Sequence, residues 1–238
     1  MDNLKQQNKT DVLPFGERFT GDMPAKIKAL IFGKNGIGKT YCVRDIVKSG
    51  KKVLFLNFEK DGLRSIQNFT KNNDNIEVYD FSLEDLIMFV NKKGGEYIKK
   101  FDVLFVDSIT SIYRLIELKH KNVKGFEKYR AIGEEAIEIY DDLLKLDIDV
   151  FITGHSTIND NNDTELRIGA GKMFNDYILN PINLSMYLCK DKDNKRMFIT
   201  EEGAEHAHNY NITLCKKRDE HNLIKPIMYN ITELWSKE

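Results

Sequence analysis

Apolar residues in this chain fall into short runs separated by stretches where they recur every three or four positions. Residues 27–32, 52–58, 76–81, 101–107 and 149–154 carry the short runs and predict strands. Residues 38–49, 82–91 and 126–146 carry the longer spacing and predict helices. Their alternation implies an α/β fold, a central and mostly parallel sheet covered by helices. Val53-Leu54-Phe55-Leu56 and Val103-Leu104-Phe105-Val106 are apolar on both faces, as buried parallel strands must be. Ser82 with Asp85 three positions on reads as a capping box, with Asp in place of the usual Glu or Gln. After Asn183 the pattern changes to short strands at 184–189, 197–200, 211–215 and 227–231 with polar turns between them, which predicts a C-terminal antiparallel extension. Residues 1–24 are polar and punctuated by Pro14, Gly16, Gly21 and Pro24, so they read as an N-terminal arm ahead of a domain spanning 25–238.

Composition narrows the class. The 238 residues are 41% hydrophobic, enough for a packed core. Basic and acidic residues number 36 and 37, so no global field draws the chain onto nucleic acid or an anionic membrane, and any such contact must come from a local patch. Cys42, Cys189 and Cys215 are odd in number and widely spaced, which favours reduced thiols in a cytosol-like compartment over a disulfide frame or a zinc site. The N-terminus has no apolar signal core and no apolar run approaches the ~18 residues of a membrane span, so a cytoplasmic protein without membrane association is expected.

The chemistry starts at Gly33-Lys34-Asn35-Gly36-Ile37-Gly38-Lys39-Thr40, followed by Tyr41. This is the phosphate-loop pattern in its required context, after a strand and opening a helix. Glycines let backbone N–H groups turn inward around phosphates, where the helix N-terminus adds partial positive charge. Lys39 would reach the β- and γ-phosphates of ATP and the Thr40 hydroxyl would ligate Mg²⁺. Phe101–Ser108 supplies a second piece, an apolar strand ending in Asp107, whose carboxylate can hold Mg²⁺ or its water opposite the loop. Taken alone, such an acid is equally a turn residue. A hydrolase also needs a group to orient water. Ser108 rather than Glu follows Asp107, so the candidate is Glu59, which ends the strand after the phosphate-loop helix on the same sheet edge. A GTPase is disfavoured, because Asn91-Lys92-Lys93-Gly94 lacks the Asp of a guanine reader.

The order GKNGIGKT, FLNFE ending in Glu59, VLFVDS and VFITGH resembles the RecA-like ATPase core. Within that group it is more similar to the small phage RecA-like ATPases associated with single-strand annealing and recombination. The resemblance covers roughly residues 25–235 and is strongest over 27–156. The resemblance implies that Glu59 activates water, that Asp107 and Ser108 handle Mg²⁺, and that the strand carrying the third polar residue inserts between the other two. It also implies that His155 sits near the γ-phosphate as a sensor, although better-known recombinases place Gln or Asn-Gln there. By the same resemblance Lys119, Lys121 and Lys124 fall in a first DNA-binding loop, and Arg167 and Lys172 in a second spanning 156–174. Clustered positive charge suits the first loop, whereas Asp160, Asp163 and Glu165 outnumber the two bases of the second. Lys216 and Arg218 match the position from which RecA-like filaments reach a neighbouring subunit's ATP.

The expectation is an Mg²⁺-dependent ATPase of RecA type acting on single-stranded DNA in phage recombination, annealing or replication. It would work as a homo-oligomer, filament or ring, with a single-strand-binding or annealing protein as a possible partner. Two alternatives stay open: a nucleotide-gated binding or assembly module with little turnover, and a hexameric helicase-type or regulatory ATPase with the same core.

Overall fold

The computed structural model describes residues 26–59, 62–92, 94–158, 164–166, 168–169, 171–190 and 196–199. In chain order these form β1 (Lys28–Gly33), α1 (Val43–Lys48), β2 (Val53–Asn57), α2 (Gln67–Thr70), β3 (Ile76–Asp80), α3 (Leu83–Asn91) and β4 (Val103–Asp107). Then follow α4 (Ile109–Lys119), α5 (Phe126–Leu144), β5 (Asp149–Ile158), β6 (Thr164–Leu166), α6 (Lys172–Tyr177), β7 (Leu184–Lys190) and β8 (Arg196–Ile199). The sheet runs β3-β2-β4-β5-β1-β7-β8, and the six strands from β3 to β7 are parallel. β5 thus lies between the phosphate-loop strand β1 and the aspartate strand β4.

Side chains of a strand alternate between its faces, and here both faces are buried. Leu30, Phe32, Leu54, Leu56, Leu104, Val106, Val150 and Ile152 point to one core, which α3, α4, α5 and α6 cover. Ala29, Ile31, Val53, Phe55, Val103, Phe105 and Phe151 point to the other, against α1. Phe55 and Phe105 stack there with ring centroids 5.1 Å apart; burying each such side chain contributes roughly 1.5–3 kcal/mol.

α3 and α5 begin where their sequences say they should, whereas the helix expected over 38–49 is α-helical only from Val43, behind a 3-10 turn at Thr40–Cys42. Ser82 caps α3 by accepting from the Asp85 backbone N–H at 3.1 Å, while the Asp85 carboxylate accepts from the Ser82 N–H at 3.0 Å. α5 buries Ile132, Ala136, Ile139, Tyr140 and Leu143, the i, i+3, i+4 spacing of a one-faced helix. α4 was not among the predicted helices. Ser108 caps it and Ile109, Ile112, Tyr113 and Ile116 form its buried face, so Lys119 is its last residue rather than part of a loop.

The C-terminal antiparallel extension starts one strand later than the pattern suggests: β7 pairs with β1 in parallel and extends the main sheet, and β8 turns back antiparallel against β7. Leu184 to Leu188 are all buried, as a parallel strand with both faces covered requires. In the sequence the polar stretch 191–195 that follows suggests an antiparallel hairpin strand instead. The described residues of 156–174 are more regular than a loop: β5 continues to Ile158 and pairs antiparallel with β6, and Lys172 opens α6. The N-terminal arm and the predicted strands at 211–215 and 227–231 lie outside the described residues.

Candidate functional site

The parallel strands β1, β2, β4 and β5 carry the predicted chemistry to one edge of the sheet: Asp107 ends β4, Glu59 follows β2 by two residues, and His155 lies on β5 level with Gly33 at the end of β1. A cleft of about 880 Å³ opens there, lined among others by Gly38, Lys39, Thr40, Glu59, Asp107 and His155. Asn35, Gly36 and Tyr41 also line it. Gly38 has φ +109°, a conformation open to glycine, and this lets the loop turn over the helix start.

Lys39 is buried, and its ammonium donates to the carbonyl oxygens of Gly33 at 3.0 Å and Lys34 at 3.1 Å. Burial pulls its pKa down, while the charges of Asp107 and Glu59 pull it back up. Asp107 is 2% exposed. The Thr40 hydroxyl donates to its Oδ2 at 2.6 Å, and the Thr153 hydroxyl of β5 donates to its Oδ1. Burial pushes this carboxyl above the ordinary range against both hydrogen bonds. The Asp107–Ser108 peptide bond is cis.

Glu59 stands on the other side of Ser108. Its Oε1 accepts from the Ser108 hydroxyl at 2.8 Å and lies 3.3 Å from His155 Nε2. The His155 hydrogen bond, joined by Ser108 and by the charges of His155 and Lys39, holds the Glu59 pKa below the usual range despite half-burial. Asn57 fixes the turn that presents Glu59: its Nδ2 donates to the Glu59 carbonyl at 2.9 Å and to Asp80 at 2.6 Å. His155 is itself anchored through its backbone N–H, which donates to Thr110 Oγ1 at 3.0 Å.

Thr40 and Asp107 bring two hard oxygen donors to one spot beside Lys39. Among the described residues no three His, Cys, Asp or Glu cluster into a metal cage. Mg²⁺ needs no such cage, because it keeps several waters and uses one or two protein oxygens plus substrate phosphates. The donor set therefore fits Mg²⁺, and Thr40 and Asp107 are the residues that could hold it. Cys42 lies behind the loop, and burial pushes its thiol up to about 12, well away from redox chemistry.

A family model described as an AAA domain matches residues 25–207. The chain belongs to the AAA domain family. Among curated proteins no match was found. The family is one of P-loop ATPases, so membership puts nucleotide binding and hydrolysis at the family level behind the Lys39, Thr40 and Asp107 cluster. Among the described residues of this AAA domain no helix is long and apolar enough to cross a membrane.

The basic candidates are arranged differently. Lys119 lines an adjoining cleft of about 700 Å³ with Phe58 and Glu59, but its ammonium is paired with Glu135 at 2.6 Å, and His120 meets the same carboxylate at 2.6 Å. Lys121 and Lys124 are exposed, with no ion pair among the described residues. Lys172 sits on α6, 3.9 Å from Asp176. Arg167, Lys216 and Arg218 lie outside the described residues.

Several residues of the site escaped the sequence reading. Thr153 and Asn57 are polar residues inside apolar strands, and that mismatch was their signal. Arg114, exposed on α4 and lining the main cleft, and Arg196, at the start of β8, had no local signal at all. Arg196 donates from Nε to the Ile37 carbonyl at 2.9 Å.

Proposed function

We propose that this AAA domain is an Mg²⁺-dependent ATPase of the RecA type that acts on single-stranded DNA as an oligomer. One observation carries the reading. Lys39, the Thr40–Asp107 pair and the Glu59–Ser108–His155 chain converge on one cleft from a loop and three different strands. In that arrangement the loop amides and Lys39 would bind the triphosphate, with Thr40 and Asp107 holding the Mg²⁺. The metal would supply charge neutralisation at the phosphates. Glu59, ionised at neutral pH, would accept a proton from the attacking water, and Ser108 and His155 would orient its carboxylate. The insertion of β5 between β1 and β4 supports the RecA-type core, and the recombination role rests on the resemblance of the four segments.

The test is ATP turnover with and without single-stranded DNA, in the parent chain and in Glu59→Gln. Turnover stimulated by DNA, with at least a hundredfold loss in Glu59→Gln and retained ATP binding, is the expected pattern; loss of a general base typically removes about 10²–10⁴ in rate. Unchanged turnover in Glu59→Gln would remove Glu59 from the mechanism.

The second reading is a nucleotide-gated binding module with slow turnover. It is favoured by the pairing of Lys119 and His120 with Glu135, which leaves the first basic loop with less free charge than its sequence suggests. Tight ATP binding with negligible hydrolysis, unaffected by DNA, would support it.

A further inference from the structure

The hydrolytic groups occupy only one side of the phosphate loop. Asp107, Glu59 and His155 come from β4, β2 and β5, all on the same side of β1 in the sheet. On the other side β7 runs parallel to β1 and ends at Lys190, and β8 starts opposite it with Arg196 in register with Lys190. The hairpin therefore returns to the sheet edge where the loop sits and delivers a guanidinium to it.

That guanidinium is not loosely placed. Its Nε donates to the Ile37 carbonyl at 2.9 Å, and it lies so close to the loop that a Cβ on Gly38 would stand 2.7 Å from Nε. Its Cζ is 5.0 Å from the centroid of the Tyr41 ring. Tyr41 is in turn held by Arg44, whose Cζ is 4.4 Å from the same centroid and 5.1 Å from that of Phe69. Phe69, Arg44, Tyr41 and Arg196 thus form a run of alternating planar rings and planar cations that ends at the cleft. The terminal NH₂ groups of Arg196 make no hydrogen bond among the described residues.

We propose that Arg196, backed by Tyr41, is the platform on which the base of the bound nucleotide stacks. This rests on the nucleotide reading given above. A triphosphate with its γ end toward Glu59 and Asp107 must extend its ribose and base away from them, toward the β7–β8 side. Arg196 bonds a carbonyl of the loop. In a trans peptide that carbonyl points opposite to the Gly38 N–H that would face the phosphates, so the guanidinium stands outside the amide cradle. A planar guanidinium in that place stacks on a heteroaromatic face as readily as on a tyrosine, whereas an ammonium cannot.

Isothermal titration of the full-length chain with Mg-ATP and, separately, with inorganic tripolyphosphate tests this in the parent, Arg196→Ala and Arg196→Lys. Arg196→Ala is expected to weaken ATP about tenfold, between the scales of an exposed and a fully desolvated cation–π contact, with tripolyphosphate affinity unchanged. Arg196→Lys should be nearly as weak for ATP, since charge is kept and the plane is lost. Unchanged tripolyphosphate binding also certifies an intact loop in each variant. Equal weakening of both ligands would make Arg196 a phosphate contact and overturn the proposal, as would parental ATP affinity in either variant. A parent chain that binds neither ligand would instead sink the nucleotide reading itself, a result distinct from any pattern among the variants.

Discussion

Glu59 is a carboxylate whose charge is kept by its neighbours against half-burial. The His155 hydrogen bond is the largest influence lowering its pKa, with Ser108 next among the hydrogen bonds. A carboxylate held low in the folded chain contributes stability above its unfolded pKa, and that contribution fades as pH falls through the folded value. The same sign governs activity if Glu59 must be ionised to accept a proton. His155→Ala removes the principal donor and leaves burial to raise the pKa, so the acid limb of the ATPase pH profile should move to higher pH. A profile superimposable on the parent's would dissociate His155 from Glu59 ionisation. At this scale Lys39, Thr40, Asp107 and Glu59 are legible as residues that meet, because each ends an apolar run or sits in a spaced motif, whereas His155 joins them only through the resemblance. The sequence could not reveal Arg196, which reaches the loop from 156 residues beyond Thr40 through strand pairing that no local spacing encodes.

Elements were legible where a local rule sufficed and obscure where pairing decided. The reciprocal Ser82–Asp85 cap of α3 is a short-range arrangement, and its two residues spelled it out. Ser82→Ala should therefore destabilise the fold by about 1 kcal/mol, read as a lower urea midpoint with an unchanged m-value. An unaltered midpoint would mean that packing of Leu83, Leu86 and Val90 alone holds the helix start. β7 shows the opposite case. Its first five residues are as fully buried as those of β4, but the strand direction depends on which neighbour it meets, and the neighbour is β1, from more than 150 residues earlier. α4 is obscure for a different reason: its Ile109, Ile112, Ile116 spacing follows directly on the apolar strand β4 and runs into a lysine-rich segment, so neither boundary carries a local signal.

For the molecule as a whole, near-zero net charge means that any grip on nucleic acid must come from one face. The segment 120–125 and the start of α5 put Lys121 and Lys124 beside Phe126, which is 81% exposed, and the half-exposed Tyr129. Under the proposed reading, single-stranded DNA binding measured by fluorescence anisotropy over a salt series should show its log–log slope shrink by about 1.4 in the Lys121→Ala, Lys124→Ala double variant, two contacts at ~0.7 each. Lys119→Ala should change the slope little, because that charge is already spent on Glu135. An unaltered slope in the double variant would move the DNA path elsewhere. The alternation of strands and helices made the helix-covered parallel sheet readable from the chain; the position of β5 between β1 and β4 came only through the resemblance, and the lateral place of β7 not at all.

Gly33 illustrates how the sheet and the loop constrain one another. It is the last residue of β1, and a Cβ there would stand 2.6 Å from the Leu188 carbonyl of β7 and 3.3 Å from the Ile37 side chain. A methyl group at that point would wedge two neighbouring strands apart just where they support the hairpin carrying Arg196. The opening glycine of the motif is thus a hinge pin between strands as much as a part of the anion cradle. A Gly33→Ala chain that lost nucleotide would be reporting a splayed sheet margin before it reported anything about phosphate.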